Sequence, residues 1–374
     1  MSAVAEQAQS ESASAEGVIG RIPVRNLWLL MLYASELFRT RGIGKVGQED
    51  NPDEVPDLVA EILAHAVEKR LRRRLNLGYR TRAAVIHRVR GRIDMLSTER
   101  HQLMDRGLVA CRFDEFTIDT PRNRFVCAAL GRIARIVQRQ DIAHRCRALA
   151  GNMKAMGVSG EVPTRAQMSM ERFGRNDADD RLMVAAAKLA FDLALPTEES
   201  GANVLLLPDR EERWVRSLFE KAVGGFYEIV LTSQGWDVRC GRTIRWQIAQ
   251  KTEGIDQILP TMRTDVVLDH RASGQRVVID TKFASIVTGG WHREETLRSG
   301  YVYQIYAYLH SQIGGGDPLA ERANGLLLHP AIGQMLDETV VIQGHAIRFA
   351  TVDLTAKPAQ IRAQLLRLVP KTGE

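Results

Sequence analysis

The stretch Met262–Phe283 reads MRTDVVLDHRASGQRVVIDTKF, and it decides the fold that we predict. Two strand-like runs, Val266–Leu268 and Arg276–Ile279, flank the polar connection Arg271–Gly274, which carries a turn glycine. This pattern predicts a β-hairpin. Because β-branched and aliphatic residues dominate both runs, we expect the hairpin to belong to a larger sheet.

Three charged side chains stand at the open end of this predicted hairpin. If the hairpin is symmetric about Ala272 and Ser273, Asp265 falls opposite Asp280 and shares its face. Alternation along the strand puts Lys282 on the same side as Asp280. Two carboxylates that close repel each other, so the arrangement favours a divalent cation between them. Oxygen ligands suit Mg²⁺, and the lysine could orient or deprotonate a water that attacks phosphorus.

An Asp-x-Lys sequence after an aliphatic run also occurs in ordinary surface ion pairs, so the hairpin alone is a weak signal. Further motifs strengthen it. The order Asp265, then Asp280-Thr281-Lys282, then Gln304-Ile305-Tyr306-Ala307-Tyr308 resembles the signature of PD-(D/E)xK nucleases, with the Gln-x-x-x-Tyr element of their RecB-like branch. More narrowly, the chain resembles the McrC family, the nuclease subunits of McrBC modified-cytosine restriction systems. The supporting stretches follow family order: Ile22–Trp28, Arg90–Asp94, Cys111–Phe116, Asp119–Arg124 and Leu218–Glu220.

One departure from the family pattern is visible at Thr264, which stands where the family usually has proline before the first aspartate. That proline shapes the backbone and carries no chemistry, so the departure does not remove a reacting group.

The resemblance implies a fold and a set of site residues. The expected fold class is α/β, with an α+β N-terminal half and a C-terminal PD-(D/E)xK restriction-endonuclease-like domain whose mixed central sheet is flanked by helices. The implied Mg²⁺ ligands are Asp265, Asp280 and Glu220, with Lys282 completing the catalytic group and Gln304 and Tyr308 holding the substrate strand. Glu220 has an alternative role as an exposed helix residue that pairs with Lys221 or Arg216.

The resemblance also implies partners. They are an McrB-like AAA+ GTPase ring, which binds the GTP, and double-stranded DNA containing modified cytosine. The tract from Lys69 to Arg92 is rich in arginine and contains no Asp or Glu. The alternating residues Val85–Arg90 predict a strand that would point Arg88, Arg90 and Arg92 one way, toward phosphates or an acidic partner protein. A solvated basic face is the alternative.

Composition and linkers set the expected organisation. The chain of 374 residues is 45% hydrophobic, with a formal net charge of +6 and a pI of about 9.2, which favours a polyanionic partner. We predict a disordered tail over residues 1–20, a partner-binding domain over 21–200 and a nuclease domain over 201–374. The four cysteines lack metal-binding spacing, and no apolar run approaches the length of a membrane span, so we expect a cytoplasmic protein.

Three functions remain open on this basis. The first is a Mg²⁺-dependent DNA endonuclease subunit of a GTP-dependent modified-cytosine restriction complex. The second is a non-catalytic adaptor whose basic half activates a GTPase ring. The intact set of Asp265, Asp280 and Lys282 weighs against this, because a decayed site usually loses a member. The third is a stand-alone RecB-like repair nuclease, which would cut DNA without a partner.

Overall fold

A computed structural model describes residues 18–19, 22–35, 37–38, 54–174, 177–199, 208–289, 295–331 and 334–370 of the chain. The chain divides into two compact units. One comprises Met1–Val55 with Leu195–Glu374, and the other is Pro56–Ala194. The predicted disordered tail lies outside the described residues except for Val18 and Ile19.

The helices and strands are numbered in chain order. Up to residue 199 they are β1 (Val18–Ile19), β2 (Ile22–Pro23), α1 (Val24–Ala34), α2 (Val55–Arg73), β3 (Gly78–Ile86), β4 (Arg92–Ile93), α3 (Met95–Arg100), β5 (Val109–Thr117), α4 (Pro121–Ile136), α5 (Gln140–Ala155), α6 (Arg165–Met170) and α7 (Ala178–Glu199). The later ones are α8 (Pro208–Thr232), β6 (Asp237–Cys240), β7 (Thr243–Ile244), β8 (Met262–Arg263), β9 (Val266–His270), β10 (Gln275–Thr281), β11 (Val287–Gly289), β12 (Glu295–Leu297), α9 (Ser299–His310), α10 (Pro318–Glu321), β13 (Asn324–Pro330), β14 (Asp337–Ile342), β15 (His345–Val352) and α11 (Pro358–Arg367).

A six-stranded mixed sheet, in the order β14-β15-β13-β10-β9-β6, forms the centre of the larger unit. Strands β10, β13 and β15 run parallel to one another, and the other neighbours are antiparallel. The predicted hairpin is confirmed as β9 and β10, and its register pairs Gln275 with His270 and Ile279 with Val266. Its strands are buried, as expected of central strands covered on both faces. The prediction of a mixed α/β sheet is therefore confirmed.

Helix α1 packs within this larger unit, whereas the predicted partner-binding domain would have included it. The Asn26 side-chain amide donates hydrogen bonds to the Leu354 and Ala356 carbonyls, at 2.7 and 3.1 Å. The Tyr33 ring meets the Phe226 ring of α8 edge to face, with centroids 5.2 Å apart. Helix α1 thus groups with the larger unit, because its apolar face finds its partner almost two hundred residues away, beyond the reach of local pattern.

The smaller unit combines a three-stranded sheet, β3-β5-β4, with helices α4 and α5 among others. The Asp119–Arg124 stretch is the start of α4. Thr120 caps it by accepting a hydrogen bond from the Asn123 backbone, and Pro121 occupies the first turn. The Arg122 guanidinium is buried and lies 2.7 Å from the Asp180 carboxylate. These residues therefore hold the unit together, since a buried charge requires such a partner.

The predicted strand over Val85–Arg90 is wrong beyond Ile86, where β3 ends. Gly91 has a φ of +66°, and the turn there brings Arg92 opposite Arg112 as β4 adds to the sheet. Arg88 and Arg90 lie in the connection, where the Arg90 guanidinium stacks 4.4 Å from the Phe113 ring centroid. The three arginines are exposed but do not share one strand face.

Among the described residues, no helix has both the length and the apolar character needed to cross a membrane.

Candidate active site

Asp280 is a buried carboxylate at the end of the central sheet. It lies near the carboxyl end of β10 with only 1% of its surface exposed. The Lys282 Nζ atom lies 2.7 Å from Asp280 Oδ2, yet neither carboxylate oxygen accepts a well-aligned hydrogen bond from any described residue. Burial raises the pKa of Asp280 to about 6. Lys282 opposes this rise, and the negative charges of Asp265 and Glu220 add to it.

Asp265 lies in a bend just before β9, at the position that the hairpin register extends opposite Asp280. Its Oδ2 atom accepts hydrogen bonds from the Thr281 backbone N–H and from the Thr281 hydroxyl, both at 2.7 Å. The middle residue of the Asp-Thr-Lys motif therefore fixes the first aspartate. Sequence reasoning missed this role, because alternation points Thr281 away from Asp280 and toward the other face.

Glu220, on helix α8, lies beside the same group. Burial raises its pKa first, and the charge of Asp265 raises it further, while Arg263, Lys221 and Lys282 act in the opposite direction. Phe219 next to it meets Phe283 edge to face at 5.9 Å, which ties α8 to the end of β10. Glu220 forms no ion pair within the part of the chain that the structure describes. Its surroundings therefore favour the site role over the surface pairing.

Gln304 and Tyr308 lie one turn apart on α9 and contact each other. The Gln304 amide donates to the Tyr308 hydroxyl at 2.5 Å, and that hydroxyl donates to the Arg263 carbonyl at 2.7 Å. Tyr308 is buried, and burial raises its pKa. The pair thus connects α9 to β8 two residues before Asp265. Its role in holding a substrate strand stays a prediction.

His329 and Tyr301 also border the site, and sequence reasoning missed both. His329 is fully buried on β13, where the parallel register places it beside Lys282. Its Nδ1 atom lies 2.9 Å from the Ala284 carbonyl, which assigns it the N–H, and burial lowers its pKa to about 4. The Tyr301 ring packs against His329 and lies 5.5 Å from the Lys282 ammonium. The position of His329 beside Lys282 follows from the pairing of β10 with β13, which the sequence alone does not show.

The donor set can be tested against the expected Mg²⁺. The described residues contain no group of three His, Cys, Asp or Glu side chains already gathered for a metal. However, Asp280 presents two buried oxygens without a hydrogen-bond partner, and Asp265 and Glu220 are close enough to shift its pKa. Oxygen-only donors and unpartnered carboxylate atoms fit a hard divalent cation.

Fold and site together define a class: a mixed α/β protein with three coupled carboxylates and a lysine at one end of its central sheet. The chain belongs to the McrBC family, because the family model described as "McrBC 5-methylcytosine restriction system component" matches residues 4–317. No curated protein matches the chain significantly.

Two solved structures from Thermococcus gammatolerans are similar to it. One is a refined half-complex from a tetradecameric assembly of McrB AAA+ hexamers with bound McrC, with 15% identity over 93% of this chain and 76% of that chain and a TM-score of 0.41. The other is a cryo-EM structure of the McrBC complex, with 18% identity over 50% of this chain and 61% of that chain and a TM-score of 0.31. The family assignment rests on the sequence match, since both TM-scores are low.

Proposed function

We propose that this chain is the DNA-cleaving subunit of a GTP-dependent restriction complex that acts on DNA containing 5-methylcytosine. It hydrolyses phosphodiester bonds with Mg²⁺ in the cytoplasm and stimulates the GTPase of its partner. The observation that carries the proposal is the buried Asp280 carboxylate, unpartnered except for the Lys282 charge and coupled to Asp265 and Glu220. Family membership supplies the biological setting.

Each residue of the group has a distinct task in this proposal. Asp265, Asp280 and Glu220 would hold the cation, and Thr281 keeps Asp265 in a fixed orientation through its two hydrogen bonds. Bound Mg²⁺ would neutralise charge on the phosphate and stabilise the leaving oxygen. Lys282 orients the attacking water or accepts its proton, and its ammonium is kept in place by Asp280 and by the Tyr301 ring. Gln304 and Tyr308 support the backbone that leads to Asp265 and position the substrate strand.

The partner in this proposal is an McrB-like AAA+ GTPase ring, which binds the GTP and selects the modified DNA. The similar Thermococcus gammatolerans half-complex contains McrB AAA+ hexamers with bound McrC, in keeping with such an assembly. Arg88, Arg90 and Arg92 are exposed on the smaller unit and offer positive charge for the ring or for DNA phosphates.

Reconstitution with the partner ring separates this function from its alternatives. With the partner ring, GTP and Mg²⁺ present, the wild-type chain should cut methylated DNA. Without the ring, the same chain should not cut. Asp280→Ala should abolish cutting but retain DNA binding and stimulated GTP turnover. Undiminished cutting by Asp280→Ala would reject the site. Cutting by the isolated chain would indicate a stand-alone nuclease, and GTPase stimulation by a wild-type chain that never cuts would indicate an adaptor.

A further inference from the structure

His329 is a buried histidine with one unused acceptor atom. It is 0% exposed on β13, and its Nδ1 atom lies 2.9 Å from the Ala284 carbonyl. Because a carbonyl oxygen can only accept, Nδ1 carries the proton and Nε2 carries a lone pair. That Nε2 atom is buried and has no hydrogen-bond partner among the described residues. Buried polar atoms are seldom left without a partner, so a donor for this lone pair is expected nearby.

The strand pairing places Lys282 on the same side of the sheet as this lone pair. Strands β10 and β13 run parallel with Thr281 opposite Leu328, and the Lys282 backbone N–H continues the ladder by donating to the Leu328 carbonyl at 2.9 Å. Lys282 and His329 are therefore the next opposed pair, and their side chains leave the same face. The Tyr301 ring centroid lies 5.5 Å from the Lys282 Nζ atom and 5.7 Å from the His329 ring centroid, so both side chains border one aromatic ring.

The Lys282 ammonium has donors that its present contacts do not use. Its Nζ atom lies 2.7 Å from Asp280 Oδ2, but this contact is not aligned as a hydrogen bond. An ammonium group has three N–H donors, and only 19% of the Lys282 side chain is exposed to water. When the Asp280 oxygens are occupied by a cation, the ammonium needs another acceptor. His329 Nε2 is an unused acceptor on the same face.

The surroundings of His329 keep its ring neutral. Burial lowers its pKa to about 4, against the opposing effect of the Ala284 bond, so Nε2 is unprotonated at neutral pH and free to accept. Arg298 is another cation near this ring, with its guanidinium carbon 5.9 Å from the Tyr301 centroid. Arg298 is exposed, however, whereas Lys282 is mostly buried and stands directly opposite His329 in the ladder. The geometry therefore favours Lys282 as the donor.

We propose that His329 is a positioning residue for Lys282. Its Nε2 lone pair accepts a hydrogen bond from the Lys282 ammonium when the Asp280 carboxylate is engaged elsewhere. This bond keeps the ammonium in place to orient the attacking water. The catalytic consequence rests on the proposed nuclease function, whereas the hydrogen bond is a property of this chain alone.

Nitrogen NMR tests the hydrogen bond without metal or catalysis. The full-length chain, with its histidine nitrogens isotopically labelled, is studied in EDTA at pH 8, and the His329 Nε2 signal is identified by its loss in His329→Gln. Asp280→Ala removes the carboxylate partner of Lys282, so the Nε2 signal should move upfield, toward the shift of a hydrogen-bonded nitrogen. Asp280→Ala/Lys282→Ala should return it toward the wild-type position. An unmoved signal in Asp280→Ala, or an upfield signal that persists without Lys282, would overturn the proposal.

Two amide variants separate the roles of the two ring nitrogens during cleavage. In His329→Asn the side-chain N–H can still donate to the Ala284 carbonyl, but no acceptor reaches Lys282. In His329→Gln the amide oxygen can take the place of Nε2. With the partner ring, GTP and Mg²⁺ present, His329→Asn should cut methylated DNA on the order of ten- to a hundred-fold more slowly, because Lys282 is no longer held in position. His329→Gln should cut much closer to the wild-type rate.

His345→Asn is the matched control for placing an amide in the core. His345 is also buried, and its Nδ1 atom lies 2.7 Å from the Ala323 carbonyl, but it begins β15 at the opposite end of the sheet. It should cut like wild type. Equal rates in His329→Asn and His329→Gln, or a slower rate in His329→Gln, would overturn the proposal. If the NMR signal moves as expected but wild type cuts no DNA, the hydrogen bond stands and the proposed nuclease function fails.

Discussion

Burial of Asp280 has a thermodynamic consequence that is independent of catalysis. Its folded-state pKa of about 6 lies above the ordinary carboxyl value of 3.8, so the folded state binds more protons than the unfolded state between these two pH values. The free energy of unfolding therefore falls as pH rises through this window. Above it, the carboxylate is ionised in both states and the full cost of burying its charge is present.

Asp280→Asn should consequently be more stable than wild type at pH 8, by about 1–3 kcal/mol on the scale of 1.36 kcal/mol per pKa unit. The advantage should shrink as pH is lowered to 5 and approach zero near 4. Urea unfolding in EDTA, followed by tryptophan fluorescence at each pH, measures it. An advantage of the same size at every pH would contradict the assigned cause.

Thr281 offers a second test at the residue scale. Thr281→Val keeps the β-branched shape and the backbone N–H but removes the hydroxyl that donates to Asp265 Oδ2. A hydrogen bond to a charged group contributes about 1.5–3 kcal/mol, so we expect cleavage to slow by ten-fold or more. Single-turnover cleavage by the assembled complex measures this. Thr339→Val, on the exposed edge strand β14, is the control and should cut like wild type.

Part of this site followed directly from the sequence. The alternation of the two aliphatic runs and the turn glycine located the hairpin, so the closeness of Asp265, Asp280 and Lys282 could be predicted. Thr281 was missed because Asp265 lies in a bend outside β9, where strand alternation no longer governs direction. His329 was missed because its closeness to Lys282 depends on the parallel pairing of β10 and β13, which sequence spacing does not encode.

At the element scale, helix α1 is the least expected part of the larger unit. Its partners are Phe226 on α8 and the Leu354 and Ala356 carbonyls that follow β15. Such long-range packing decides which residues form one unit, and a linker-like composition near residue 200 could not reveal it.

Tyr33→Ala should therefore destabilise the unit that contains the active site, by about 3–5 kcal/mol, because it empties a fully buried aromatic site. The tryptophans that the structure describes all lie in this unit, so fluorescence-detected urea unfolding reports on it: Trp28, Trp214, Trp236 and Trp246. Tyr303→Ala, at a residue that is 69% exposed in the same unit, is the matched control and should change stability little. Wild-type stability in Tyr33→Ala would place α1 outside the unit.

The antiparallel pair of β7 and β8 is a second element that only the structure reveals. The alternating residues 236–248 look like one strand in the sequence, but Gly241 divides them into β6 and β7. The register continues across this bend, and the Gln247 side chain then bonds to the Ser311 and Ile313 carbonyls, so this strand pair runs along α9 instead of ending with the sheet.

At the scale of the whole molecule, the net charge of +6 agrees with a polyanionic partner without locating it. On the smaller unit, the exposed Arg88, Arg90 and Arg92 offer positive charge that suits the GTPase ring or DNA phosphates.

The central claim is that the carboxylates at the end of β9 and β10 bind the cation needed for phosphodiester hydrolysis. The most direct test is the single-turnover cleavage rate of methylated DNA by the assembled complex as Mg²⁺ is titrated. Asp265→Asn should lower the maximal rate by at least a hundred-fold or demand far more Mg²⁺, because it removes a charged ligand that Thr281 holds in place. Asp317→Asn, a carboxylate of the same unit paired with Arg276, should keep the wild-type Mg²⁺ dependence. Wild-type rate and Mg²⁺ dependence in Asp265→Asn would contradict the assignment.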